Sequence, residues 1–143
     1  RVTFDFARNE VTLEPHGQPA RPGMLLVNVT INGRSWPMLV DSGASRLTLE
    51  PWAAVELGQL EGQRQPEFAK QVGAAGSGKR RTVRLKAITV AGRTFSNVKT
   101  YVINTFGELR FSGRRVAGLL GLRGFGKLVW TLDYATRDLE VSG

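Results

Sequence analysis

Turn residues interrupt this chain at short intervals, and the segments between them alternate between apolar and polar side chains. Residues 24–31 and 34–40 are two such segments, and Asn32 and Gly33 separate them. Alternation with a period of two is typical of β-strands that bury one face. Asn-Gly is the pair that two-residue hairpins favour, because both positions adopt a positive φ. The sequence therefore predicts an all-β fold.

The same pattern predicts the remaining elements. The further strands expected are residues 82–90, residues 95–103 and a closing hairpin at 126–141. A phase slip at Ala87 and Ile88 suggests a β-bulge in the first of them. One short helix is expected between Pro51 and Gly58, because proline favours a helix start and glycine a helix end.

Composition excludes several classes of function. The chain has 143 residues and no cysteine, which excludes thiol catalysis and thiolate metal sites. Its one histidine, His16, cannot complete a Ser-His-Asp triad or a histidine metal cluster. The sequence contains no run of about 18 apolar residues, so it predicts no membrane-spanning helix. We therefore expect neither a metal, nor a cofactor, nor a membrane span in this chain.

Asp41 is the first candidate for chemistry. It follows the apolar residues Met38, Leu39 and Val40 at the end of a predicted strand, and Ser42 comes next. A carboxylate in such a place costs several kcal/mol unless it is solvated or hydrogen-bonded. A hydroxyl and an unobstructed backbone N–H beside it would hold the carboxylate ionised and oriented. An ordinary Asx turn between two strands is the alternative interpretation.

The order of motifs along the chain resembles that of the retropepsin-like aspartic proteases, particularly their bacterial single-domain members. An Asn-Gly hairpin precedes "LVDSGAS", "LLGL" follows about 80 residues later, and "VWTLDY" comes after it. The resemblance covers roughly residues 24–134. It implies a closed β-barrel or sandwich with a flap hairpin and one or two short helices. It also favours a bacterial protein of the periplasm or one associated with a membrane.

The resemblance assigns roles to two segments of the chain. Asp41 corresponds to the catalytic carboxylate. The residues that would support the active-site loop are Ser42, Gly43 and Ala44. The apolar-apolar-glycine segment that crosses beneath that loop would be Leu119, Leu120 and Gly121. Glycine at this last position has a physical reason as well, because a residue without a side chain lets two segments pass closely.

A glycine-rich stretch between the predicted helix and the next strand matches the flap of the family. The residues assigned to the flap are Gly73, Ala74, Ala75, Gly76, Ser77 and Gly78. Glycines make a mobile hairpin that can open for a peptide and close to exclude water. The stretch also approaches a phosphate-binding loop, with Lys79 after the last glycine. Arg80 stands where a Ser or Thr is needed, so nucleotide binding is not expected.

Aspartic proteolysis needs two carboxylates that share one proton, and this chain supplies one suitable aspartate. Of the four aspartates, Asp5, Asp133 and Asp138 fall in predicted hairpins, and Asp41 alone falls in a small-residue loop. The second carboxylate must therefore come from another copy of the domain. That copy would be a second chain in a homodimer or a tandem repeat, and a monomer would be inactive.

An internal similarity bears on the choice between these two arrangements. "TFDFARNEVTL", residues 3–13, parallels "TLDYATRDLEV", residues 131–141. Two generic hairpins would explain it. Alternatively, the first hairpin is the tail of a preceding homologous repeat. On either interpretation the chain divides into residues 1–22, an N-terminal strand pair with a linker, and residues 23–143, the protease domain.

The net charge of +8 leaves the choice of partner open. The basic clusters at 79–86 and 110–115 could bind nucleic acid, with Phe106 and Phe111 as stacking partners. They are equally explained as solvated faces of strands and loops, and nucleic acid is not the expected partner. A third interpretation is that they flank the cleft and favour acidic substrates. Arg46, just past the DSGAS loop, is the candidate substrate contact.

The function expected is that of an aspartic endopeptidase. Water activated at Asp41 would hydrolyse a peptide bond in a peptide or protein substrate, without a metal and without a covalent intermediate. The alternative is a non-catalytic module of the same fold that captures peptides or serves as a scaffold.

Overall fold

The hairpin predicted at Asn32 and Gly33 is present, and it belongs to a closed barrel. A computed structural model describes residues 1–13, 25–58, 81–111 and 113–143; the predicted flap at 73–78 and His16 lie outside these ranges. Asn32 has φ 53° and Gly33 has φ 72°, so both turn residues adopt the left-handed conformation that the Asn-Gly pair favours. The strands of this hairpin pair from Leu26 with Leu39 to Ile31 with Arg34.

Twelve strands account for most of the described residues. In chain order they are β1 (Val2–Asp5), β2 (Glu10–Leu13), β3 (Leu26–Ile31), β4 (Arg34–Asp41), β5 (Leu47–Leu49), β6 (Arg81–Val90), β7 (Arg93–Val102), β8 (Arg110–Phe111), β9 (Arg114–Arg115), β10 (Gly118–Gly121), β11 (Val129–Asp133) and β12 (Asp138–Ser142). Six of them close a barrel in the order β10-β4-β3-β6-β7-β5. A four-stranded sheet, β12-β11-β1-β2, lies beside it, and β8 pairs with β9. The all-β prediction is confirmed.

The predicted phase slip in β6 is present, but it is not produced by an inserted residue. Leu85 and Ile88 are both buried although three positions separate them. The pairing with β7 keeps one register on both sides of the slip, from Leu85 opposite Val98 to Ile88 opposite Phe95. Asn97, in β7, adopts a left-handed φ of 54° and interrupts the regular ladder. A local distortion of the partner strand therefore replaces the predicted bulge.

One α-helix and one 3₁₀ helix complete the fold. The helix α1 runs over Pro51–Glu56, as predicted, and it buries Pro51, Ala53 and Ala54 against the barrel. Gly58, with φ 72°, follows its last turn. The 3₁₀ helix Leu122–Phe125 directly follows β10. Among the described residues, no helix is long and apolar enough to cross a membrane.

Glu50 is a buried carboxylate that joins α1 to the loop after β7. It is 1% exposed. Its carboxylate accepts hydrogen bonds from the backbone N–H of Thr105, at 3.0 Å, and of Phe106. Burial raises the pKa of Glu50 above its ordinary value of 4.5, although these hydrogen bonds and the charge of Arg115 act in the opposite direction. Burial therefore favours the protonated form in the folded chain.

We expect this burial to make the free energy of unfolding fall as pH rises above 4.5. The folded chain holds a proton on Glu50 over a range in which the unfolded chain has released it, so deprotonation favours unfolding. Chemical unfolding of the wild type and of Glu50→Gln at pH 4 to 7 measures this. The wild type should lose stability relative to Glu50→Gln across the range, because Gln does not titrate. Glu108→Gln, which removes an exposed carboxylate from the loop after β7, is the matched control.

Candidate active site

Asp41 is the last residue of β4, and a short turn follows it. Its carboxylate oxygen Oδ1 accepts a hydrogen bond from the backbone N–H of Gly43 at 2.9 Å. The N–H of Ala44 donates to the Asp41 carbonyl at 3.3 Å, which closes the turn. These bonds form an Asx turn and also fix the direction of the carboxylate. Among the described residues, no second hydrogen bond to this half-buried carboxylate is found.

The predicted crossing segment pairs directly with the strand that carries Asp41. β10 runs parallel to β4, with Leu119 opposite Leu39, Leu120 opposite Val40 and Gly121 opposite Asp41. Leu120 is fully buried in the core. Residues about 80 positions apart are therefore brought together in the order that the sequence motif predicts.

Gly121 is located where a second chain segment leaves no space for a side chain. A Cβ built on it would lie 2.1 Å from the carbonyl oxygen of Arg46 and 2.7 Å from the Arg46 carbonyl carbon. Both are backbone atoms, so a flexible side chain cannot move aside. The sequence analysis argued that a glycine at this position lets two chain segments pass closely, and the structure contains that close passage.

Two further glycines contact the same segment, and sequence reasoning missed both. A Cβ on Gly118 would lie 2.0 Å from the Thr48 carbonyl oxygen, and one on Gly124 would lie 3.2 Å from the Leu47 nitrogen. The three glycines recur at every third residue of "GLLGLRG". That spacing was the available signal, but its meaning depends on the distant segment at residues 46–48.

Arg46 points its side chain along the barrel wall. Its guanidinium carbon lies 4.5 Å from the centroid of the Tyr101 ring, and the Lys99 ammonium lies 5.5 Å from the same ring. Tyr101 pairs with Thr82 at the start of β6. Two positive charges therefore flank one aromatic ring on the wall next to the Asp41 turn.

A cavity of about 230 Å³ lies between the Asp41 turn and the first hairpin. Ser42 and Gly43 line one side of it, and Phe4, Phe6 and Arg123 line others. The Arg123 guanidinium lies 5.3 Å from the centroid of the Phe6 ring. No hydrogen bond of the Ser42 hydroxyl is found within the described ranges. Sequence reasoning did not identify Arg123, because nothing in the local sequence indicates that it contacts a hairpin 117 residues earlier in the chain.

The basic clusters contribute little to this site. Arg84 and Lys86 are exposed on β6. The arginines of the second cluster bind the chain itself: Arg110 the Gly113 carbonyl, Arg114 the Asn28 side chain and Arg115 the Gly107 carbonyl. These contacts favour their interpretation as solvated strand and loop faces. Within the described part of the chain, no group of three His, Cys, Asp or Glu residues is arranged to hold a metal ion.

Comparison with known proteins agrees with this geometry. The sequence profile of a family described as Aspartyl protease matches residues 27–123. No curated protein sequence matches the chain significantly. A retropepsin-like aspartic protease from Rickettsia conorii is similar in structure, with a TM-score of 0.53 and 22% identity over 85% of this chain and 82% of that one.

The retroviral protease-like domain of Ddi1 from Leishmania major is also similar, with a TM-score of 0.54 and 20% identity over 86% of this chain and 91% of that one. Such similarities show a common fold. The profile match extends over most of the chain and includes both the Asp41 turn and the Gly121 crossing. The chain therefore belongs to the aspartyl protease family and has the retropepsin-like fold.

Proposed function

We propose that this chain is half of an aspartic endopeptidase and that Asp41 is its catalytic carboxylate. The observation that carries the proposal is the position of Asp41 at the end of β4, held by Gly43 and paired with Gly121. One oxygen of the carboxylate is fixed by the turn, and the other is left for a proton or a water molecule. The family match supports the same assignment.

The chemistry requires a second carboxylate. One carboxylate of the pair takes a proton from water, whose oxygen attacks the carbonyl carbon of the peptide bond. The other, protonated, carboxylic acid gives its proton to the carbonyl oxygen, so a neutral tetrahedral diol forms. Collapse of the diol breaks the C–N bond and returns a proton to the leaving amine. Water thus attacks directly, and no bond to the protein forms.

The described residues of a single copy do not supply that second group. Asp5 and Glu10 line the cavity beside Ser42, but both belong to the first hairpin and neither is in a small-residue loop such as the one that follows Asp41. Asp133 is held by hydrogen bonds within its own turn. We therefore assign the second carboxylate to the Asp41 position of another copy. The Ser42 hydroxyl and the Gly43 and Ala44 backbone would join the two loops, and residues 73–78 would form the flap.

We infer from Arg46 that the substrates carry acidic residues near the bond that is cut. Arg46 and Lys99 place two positive charges on the barrel wall beside the Asp41 turn. A favourable charge pair near a surface contributes about 0.5–1 kcal/mol, which corresponds to a factor of about two to five in kcat/KM.

For this reason we expect Arg46→Gln to lower kcat/KM for acidic peptides about two- to five-fold relative to neutral peptides of the same length. Gln retains most of the aliphatic stem and removes the charge. Arg110→Gln, which removes an exposed charge from β8, is the matched control and should leave kcat/KM for both kinds of peptide unchanged. Equal rates on acidic and neutral peptides for the unmodified protein would contradict the inference about substrates.

The proposed function is tested by exposing a diverse peptide mixture to the protein from acid to neutral pH. Two preparations are needed: the 143-residue chain over a wide range of concentrations, and a polypeptide that carries two copies of the domain. Cleavage by at least one of the two preparations is expected, together with inhibition by a peptide analogue that bears a hydroxyl in place of the scissile carbonyl. Binding of peptides by both without any cleavage would favour the peptide-capture module instead.

A further inference from the structure

The two hairpins of the four-stranded sheet are structural copies of each other. Adding 128 to the residue numbers of β1 and β2 gives 130–133 and 138–141, which fall within β11 and β12. The identical pairs Thr3 and Thr131, and Asp5 and Asp133, follow the same offset. The sequence similarity between the hairpins is therefore carried by the same strands in the structure.

Their turns also agree in detail. Each turn has four residues, begins after an aspartate and ends on a residue with left-handed φ, 58° at Asn9 and 61° at Arg137. Each aspartate accepts two backbone N–H bonds: Asp5 from Ala7 (3.0 Å) and Arg8 (2.9 Å), and Asp133 from Ala135 (3.0 Å) and Thr136 (3.2 Å). Arginine adopts a positive φ uncommonly, so generic hairpins do not readily account for the match at position 137.

The two copies pair through a local twofold axis. β1 runs antiparallel to β11 with Thr3 opposite Thr131, and the two hydroxyl oxygens lie 3.2 Å apart. Phe4 lies opposite Trp130, and Val2 lies opposite Leu132. Under the offset of 128, Val2 corresponds to Trp130 and Phe4 to Leu132, so a half-turn exchanges these two pairs. Such self-complementary pairing is the pattern of an interface between two copies of one domain.

The apolar faces of the hairpins differ in how well they are covered. Trp130 and Leu132, on β11, are fully buried in the core of this domain. Their counterparts on β1, Val2 and Phe4, are only half-buried. On the outer strands, Val11 is 60% exposed, whereas its counterpart Leu139 is half-buried. The first hairpin thus presents the same apolar face without a barrel of its own to cover it.

We propose that β1–β2 is the C-terminal hairpin of a second domain of this fold, which precedes this one in the same polypeptide and packs on the face that contains Val2, Phe4 and Val11. This inference rests on the proposed function, because that second domain supplies the partner carboxylate. In this arrangement the second active-site loop would approach the cavity between the hairpin and the Ser42–Gly43 turn. β1 occupies the edge of β11, so a homodimer cannot form the same sheet while the hairpin stays in place.

The experiment uses a two-copy polypeptide built from the chain itself. Residues 25–141 are followed directly by residues 14–143, so that the hairpin 129–141 of the first copy takes the place of residues 1–13. We expect a monomer whose X-ray scattering is that of two domains packed together, and a rate of peptide cleavage per molecule that does not change with concentration. At the same concentrations the 143-residue chain should be monomeric and inactive.

The outcomes separate this inference from the proposed function. A compact two-copy monomer without cleavage would sustain the pairing and contradict the protease. An active homodimer of the 143-residue chain would sustain the protease and contradict the tandem pairing, as would two independently tumbling domains in the two-copy polypeptide.

A second variant tests the equivalence of the hairpins even if the two-copy polypeptide fails to fold. In it, residues 1–13 of the 143-residue chain are replaced by a copy of residues 129–141. If the hairpins are equivalent, this chain should fold and show the same amide protection of β11 in hydrogen exchange. Loss of that protection would contradict the equivalence.

Discussion

Replacing Asp41 with Asn should reduce the rate of peptide cleavage by about 10²- to 10⁴-fold or more, the range that general acid–base groups contribute. Asn neither takes a proton from water nor carries the proton that the two carboxylates share. Its side-chain oxygen can still accept the Gly43 N–H, so the turn that holds the residue is retained. We therefore expect the free energy of unfolding to change by less than about 1 kcal/mol.

The two-copy polypeptide makes this test sharper. Asn at position 41 of the first copy, of the second copy or of both should give the same loss of activity, because either substitution leaves one carboxylate without its partner. Asp138→Asn in the second copy alone, at an exposed position where β12 begins, is the matched control and should cleave at the parent rate. Residual activity of half the parent value in each single variant would mean that every domain works alone, and would contradict a shared pair.

Features of the fold that depend on neighbouring residues were predictable from the sequence. Asn32 and Gly33 determine their turn through their own backbone preferences, and Pro51 and Gly58 delimit α1 in the same way. Local preferences were not enough to identify Asp41 as a catalytic candidate, because its Asx turn is compatible with both a structural and a catalytic role. The motif that links it to Gly121, about 80 residues later, made it a candidate.

The features of the fold and the site that could not be predicted from the sequence depend on contacts between distant segments. Glu50 precedes Pro51 and looks in the sequence like an ordinary residue before a helix, but in the fold it is 1% exposed. Burial raises its pKa, although the N–H groups of Thr105 and Phe106 act in the opposite direction. The sequence predicted the position of the distortion in β6 correctly but attributed it to a bulge. Its origin is instead Asn97, which has a left-handed φ and lies on the neighbouring strand β7. Arg123 contacts Phe6 only because the 3₁₀ helix and the first hairpin meet.

We expect Gly121→Ala to cost about 3 kcal/mol or more of the free energy of unfolding, which is a large fraction of the 5–15 kcal/mol typical of a domain. The new methyl group would lie 2.1 Å from the Arg46 carbonyl oxygen and 2.8 Å from the Arg46 nitrogen. Backbone atoms cannot swing away, so either β10 or the segment that follows the Asp41 turn must move. Overpacking of a less constrained core costs about 1–3 kcal/mol, which sets the lower end of the estimate.

Gly43→Ala is the matched control for stability, because a Cβ there meets the Asp41 Oδ1 at 3.4 Å, an ordinary contact, and the backbone has no left-handed φ. Chemical unfolding of both variants should show a small change for Gly43→Ala and a severe one for Gly121→Ala. Because Gly121 lies opposite Asp41, the displaced β10 should also lower activity in any Gly121→Ala protein that stays folded. Equal stabilities of the two variants would mean that the Arg46 segment can relax away from β10, and the crossing would then not hold the Asp41 turn in place.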